Sequence, residues 1–105
     1  MDKVKKASQI KGPAYIHVLQ PCATGWGYDP SKTIKLGKLA VNSKAWVLYE
    51  IENGVIRVTK KVTNPVPVEE YLSAQKRFKH LKEEQIKVIQ EHADTKYAQL
   101  EQLSE

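Results

Sequence analysis

The feature that most restricts this chain is a short apolar run, Ala14 to Leu19, interrupted only by His17. Gly12-Pro13 opens it and Pro21 closes it. Proline cannot donate to a sheet ladder, so these residues delimit a strand, Ala14 to Gln20. A run of this kind, apolar on both alternating faces, suits a strand covered on both sides, as in parallel sheets. A parallel strand needs neighbours on both edges to satisfy its backbone. Nothing else in the 105 residues supplies them except one small hairpin. The chain therefore reads as the back end of a larger α/β domain.

Around that strand the elements follow in order. Asp2 to Ile10 reads as the last turns of a helix, with Val4, Ala7 and Ile10 on one face and Gly12 as its stop. After the strand comes a loop, Pro21 to Asp29, in which Gly25 and Gly27 flank Trp26. Glycines on both sides of a large aromatic fit a close backbone approach to something bulky, and a tight turn would use them equally well. Asp29-Pro30-Ser31 is a helix start with a capping side chain and a proline in the first turn. The helix Ser31 to Ser43 presents Ile34, Leu36, Leu39, Ala40 and Val41, and its Gly37 allows close packing. Ala45 to Glu50 is a second strand, Asn53-Gly54 a hairpin turn, and Val55 to Lys60 the return strand. Val62 to Pro67 is an extended connector. From Val68 on, Tyr71, Ala74, Phe78 and Leu81 recur at helical spacing. After a break at His80-Leu81-Lys82, Ile86, Ile89, Ala93, Tyr97, Leu100 and Leu103 do the same. That last stripe requires a surface to cover it, because isolated helices of this length are marginal in water. The order is helix, strand, helix, β-hairpin and two helices, with an α/β part over residues 1–67 and a helical tail over residues 68–105.

Composition removes several function classes. The net charge of +5 is concentrated in residues 1–61, which hold eleven Lys/Arg against four Asp/Glu. A basic half is compatible with a nucleic-acid or acidic protein partner. The lysines are scattered at helical spacing, however, and Arg57 and Arg77 are the only arginines, so no single-strand stacking platform is present. No apolar run approaches the ~20 residues of a membrane span, and the first ten residues lack a signal-peptide core. One cysteine excludes an internal disulfide framework and fits a reducing compartment. A soluble cytoplasmic protein, bound to neither membrane nor nucleic acid, is expected.

Cys22 lies one step beyond the carboxyl end of the strand, the edge at which open α/β sheets collect ligands. Three roles fit it: a small buried residue, a nucleophile with a depressed pKa, or a metal or iron–sulfur ligand. His17 is no partner for a nucleophile, since five residues of strand separate the two by about 17 Å. A four-cysteine cluster would need ligands from outside these residues. His17, His80 and His92 have no zinc-like spacing. Glu69-Glu70 and Glu83-Glu84 sit at helix starts, where they favour the dipole. No catalytic pair, phosphate loop or dinucleotide fingerprint is present.

The segments GPAYIHVLQPCATGWG, DPSKTIKLGKLAV, WVLYEIENG and PVEEYLSAQKRFKHL occur here in that order. Together, and above all in PC-x-T-G-W and YEIENG, they resemble the C-terminal part of the β subunit of 2-oxoacid:ferredoxin oxidoreductases, most closely of the pyruvate type. The resemblance implies a subunit that binds thiamine diphosphate with Mg2+ and one [4Fe-4S] cluster. With its partner subunits it would convert pyruvate and coenzyme A to acetyl-CoA and CO2, passing electrons singly to ferredoxin. It implies further that Cys22 is the fourth cluster ligand, on the loop after a late strand, with Trp26 and its glycines shielding the cluster. The tail helices would pack against partner subunits. The family's CxxC pair, third cysteine and GDG-type motif are absent, so this chain alone is expected to bind neither cofactor and to be inactive. Lys82 stands where the family often has a hydroxyl residue able to cap the last helix. Two rivals remain: a β subunit acting on branched-chain 2-oxoacids, and a stand-alone, non-catalytic basic binding module.

Overall fold

The computed structural model describes residues 1–104. It contains helix α1 (Asp2–Ser8), a short α2 (Ala23–Trp26) and α3 (Thr33–Asn42). A two-stranded antiparallel sheet follows, β1 (Tyr49–Glu52) and β2 (Val55–Val58), then α4 (Val68–Ser73) and a long α5 (Glu83–Leu103). Mixed helix and sheet agree with the expected α/β character.

The run Ala14 to Gln20 departs from expectation. It belongs to neither helix nor sheet, and Tyr15, Ile16 and Val18 are exposed. No backbone–backbone hydrogen bond among the described residues reaches residues 13–20. The physical reason is the one the sequence raised: a strand becomes one only through neighbours, and the hairpin pairs with itself instead. Leu19 alone turns inward, onto the main core.

Elsewhere the local chemistry is visible. Asp29 Oδ1 accepts from Ser31 N at 3.0 Å and Pro30 opens a single 3-10 turn, Pro30–Lys32, that leads into α3. Lys44, in the left-handed region (φ 67°), ends that helix. The chain leaves it through Trp46, whose N–H bonds Ala40 O at 2.9 Å. This tether to α3 delays the strand, so β1 begins at Tyr49 rather than Ala45. Asn53 and Gly54 take positive φ (53° and 79°), the primed turn that matches strand twist, with Glu52 facing Val55 and Tyr49 facing Val58. The first tail helix is shorter than its periodicity suggests. Gln75 is extended, and Lys76–Phe78 forms a separate 3-10 turn.

Leu36 and Ala40 of α3 pack with Val68, Tyr71 and Leu72 of α4, so one core joins residues from both sides of position 67. The apolar stripe of α5 is largely covered within the chain, by α4 and β2. Ala93 and Tyr97 are buried there, and only Leu103 of the stripe stays exposed. Tyr97 Oη accepts from Val62 N at 2.9 Å, and Gln90 Oε1 accepts from Val68 N at 2.8 Å. Most of this stripe therefore finds its surface within the chain.

Candidate functional site

Cys22 is a free, exposed thiol at the N-cap of α2. Its backbone is extended (φ −124°, ψ 108°), which leads the chain into the helix. Its carbonyl accepts from Trp26 N at 2.9 Å, and its Sγ accepts from Gly25 N at 3.5 Å. Within this chain Cys22 is not a core residue. What remains is a sulfur open to an external group and polarised by one backbone N–H.

The α2 turn closes on Gly27, which is left-handed (φ 75°, ψ 67°) and donates to Ala23 O. Gly27 O accepts from Lys76 N at 2.9 Å, and a Cβ added at Gly27 would lie only 2.7 Å from Lys76 Cβ. The bulky object approached by this glycine is thus the tail of the same chain. Gly25 has ordinary space, since an added Cβ would meet Cys22 Sγ at 3.5 Å. Pro21 rests on α3, where a Cβ at Gly37 would stand 3.8 Å from its ring.

Trp26 is half-buried against the main core, edge-on to Tyr71 at 6.3 Å and to Tyr28 at 6.3 Å. The Arg77 guanidinium lies 4.1 Å from the Trp26 ring centre and 4.5 Å from that of Phe78. This contact is absent from the sequence reading, because Trp26 and Arg77 are far apart in the chain and no local pattern links them. His17 is exposed and its ring sits edge-on to Trp46 at 4.6 Å, and among the described residues it joins no cluster of metal-ligating side chains.

Charge near the loop is modest. The Asp29 carboxyl is held below the usual carboxylate range, first by the Ser31 backbone N–H and then by its hydroxyl. Among the described residues no three His, Cys, Asp or Glu side chains gather as a metal site. The donor set is therefore one thiol. That fits a single ligand position of a thiolate-held cluster, which takes four, and does not fit a complete site. No helix among the described residues is long and apolar enough to cross a membrane.

No family model matches the chain. It is 62% identical over 95 residues to the pyruvate synthase subunit PorB of Methanothermobacter marburgensis, covering 90% of this chain and 33% of that protein. It is 56% identical over 96 residues to the PorB subunit of Methanocaldococcus jannaschii, with 91% and 32% covered. The ketoisovalerate oxidoreductase subunit VorB of Pyrococcus abyssi is more distant, 38% identical over 105 residues, with 98% and 34% covered. The chain spans about a third of the length of the curated relatives it matches. Over nearly its whole length this chain is thus more similar to the PorB subunits, at 56–62% identity, than to the VorB subunit, at 38%, and it aligns with about one third of each.

Proposed function

We propose that this chain serves within a pyruvate synthase of the ferredoxin-linked kind, as the part of the β subunit that ends its thiamine-diphosphate-binding α/β domain. Residues 1–67 would belong to that domain and residues 68–105 form its helical tail. The enzyme would take pyruvate and coenzyme A to acetyl-CoA and CO2, with electrons passed to ferredoxin. The observation that carries the reading is the 56–62% identity to PorB subunits over nine tenths of the chain. When bound, thiamine diphosphate with Mg2+ supplies the carbanion chemistry of decarboxylation, and a [4Fe-4S] cluster supplies one-electron transfer.

Within that enzyme this chain's own contribution is structural and ligating. Cys22 offers one thiolate to the cluster, and the exposed sulfur with Gly25 N–H on it supports that role. A hydrogen bond to a ligand sulfur is one of the devices that set a cluster's potential. The remaining cysteines, and the residues holding thiamine diphosphate and Mg2+, would come from the rest of the subunit. The exposed run at residues 13–20 supports the same reading, since its backbone groups make no backbone–backbone hydrogen bond and are left for further strands.

The test is Cys22→Ser in the complete subunit, assembled with its partners. Iron and acid-labile sulfide per subunit should fall, and ferredoxin reduction should fall with them. Iron content and electron transfer equal to the unaltered enzyme would remove Cys22 from the ligand set.

A further inference from the structure

We propose that Arg77 is a positioning residue for the Cys22 loop, clamping Trp26 from the tail and thereby fixing the turn that carries the thiol. The inference rests on the reading of Cys22 as a cluster ligand and adds to it a residue from the turn between α4 and α5.

The α2 turn has four residues, far too few to hold itself, because helix nucleation is unfavourable and needs several turns to recover. Its order must come from contacts outside it. Two lie on the 3-10 turn of the tail. Lys76 N donates to Gly27 O, which holds the exit of the turn. The Arg77 guanidinium covers Trp26 at 4.1 Å and has Phe78 at 4.5 Å, placing one flat cation against two rings. The arginine is fixed in its turn. Its Nε donates to Gln75 Oε1 at 2.7 Å, and Gln75 is buried at 1% exposure. The Gln75 amide donates to Tyr71 O at 2.8 Å, so the relay begins on the backbone of α4. Buried Gln75 thereby satisfies both ends of its side chain, and the charge it orients is spent on Trp26. The path runs from Tyr71 O through Gln75, Arg77 and Trp26 to Cys22 O, which Trp26 N bonds at 2.9 Å.

Arginine is specific to this arrangement. Its plane stacks on an aromatic face while its Nε remains free to donate sideways. Lysine keeps the charge but has neither the plane nor the second donor. Groups that orient a metal ligand typically change metal affinity by about 10–100-fold when removed. A cation over tryptophan in a partly desolvated place changes a local opening equilibrium by about tenfold.

The experiment compares Arg77→Ala, Arg77→Lys and Cys22→Ser in the complete, partnered subunit. Three quantities are read: amide exchange of residues 22–27, exchange of α5 as a folding control, and the rate at which a ferrous chelator removes iron. Arg77→Ala should speed exchange at 22–27 and iron release by about tenfold, with α5 unchanged. Arg77→Lys should move both in the same direction by a smaller factor. If Arg77→Ala also loosens α5, Arg77→Lys decides, and wild-type exchange and iron release in that variant overturn the inference. Unchanged exchange and release in Arg77→Ala overturn it as well, while iron loss in Cys22→Ser leaves the ligand reading standing. Iron retained in Cys22→Ser overturns the ligand reading, and the positioning role toward a cluster falls with it.

Discussion

At the scale of single residues, the turn around Cys22 depends on Gly27 for two reasons that add. Its φ of 75° is one that L side chains enter only at about 1–2 kcal/mol. A Cβ there would also overlap Lys76 Cβ at 2.7 Å, against the tail backbone that Gly27 O holds. Gly27→Ala should therefore lower the stability of the assembled subunit by about 1–3 kcal/mol, read as a drop in thermal midpoint with faster exchange at residues 22–27. Gly25→Ala is the control: its Cβ would make an ordinary contact with Cys22 Sγ at 3.5 Å, and its effect should be small. Equal effects at the two glycines would show that the left-handed turn is not what constrains this loop. Part of this was readable in advance. Gly25 and Gly27 beside Trp26 allow either a tight turn or a close approach, and of the two only Gly27 makes the close approach; Asp29-Pro30-Ser31 marks a capped start. The object approached was not readable, because the glycine's partner Lys76 and the arginine over Trp26 come from the tail, and contacts between distant segments leave no periodicity behind them.

At the scale of elements, the hairpin and α5 were legible because their signals are local: two residues that tolerate positive φ, and a stripe repeating every three to four positions. Where a helix stops for a non-local reason, the pattern misleads. Tyr71, Ala74, Phe78 and Leu81 keep helical spacing, yet the helix ends at Ser73 because Gln75 folds its amide back onto Tyr71 O. The start of α5 carries an incomplete cap. Gln85 Oε1 accepts from Lys82 N at 2.8 Å, but the Lys82 side chain, having no acceptor, returns nothing to the helix. Lys82→Ser should complete the reciprocal pair and stabilise the helix by about 0.5–1.5 kcal/mol, seen as slower exchange in the first turn of α5. No change there would mean that α5 is held wholly by its packing. Helix α1 is tied to the hairpin through Lys6 Nζ, 2.7 Å from Glu50 Oε1. That hydrogen bond, ahead of the charges of Lys6 and Arg57, holds the Glu50 carboxyl below its ordinary value. A carboxyl that is more acidic folded than unfolded stabilises the fold above its unfolded value, and the effect disappears as pH falls through the lowered one. Denaturant titrations at descending pH should show that acid-side loss, and Glu50→Gln should flatten it. A pH dependence left intact by Glu50→Gln would assign the loss to other carboxylates.

At the scale of the whole molecule, the run at residues 13–20 is the place where the chain is least satisfied. Tyr15 and Val18 are 85% and 71% exposed, and Ile16 is 45% exposed. Covering a large apolar side chain is worth about 1.5–3 kcal/mol, and each ladder hydrogen bond adds about 0.5–1.5 kcal/mol. Those terms are comparable with the whole stability of a small domain, about 5–15 kcal/mol. Beside the run, α1, residues 13–17 and the stretch from Ala45 to Asn53 enclose a groove of about 620 Å³ with Ile10, Tyr15 and Ile51 on its walls. The relatives carry about twice this chain's length in additional sequence, and on the function proposed above, strands from such sequence would cover this run. The main core, by contrast, is built within the chain from Leu36 and Ala40 of α3 and Val68, Tyr71 and Leu72 of α4, with Ile34 of α3 and Leu103 of α5 left exposed. The chain should then behave in two parts. Prepared as 105 residues, it should bind a hydrophobic dye and self-associate through the open run, while α5 keeps its helical signal. In the complete subunit, amides 14–19 should become slow-exchanging, about a thousandfold or more slower than in the short chain, as expected when a loop-like segment joins a core sheet. A monomeric 105-residue chain that unfolds in one cooperative transition, without dye binding, would overturn this and favour the stand-alone basic module.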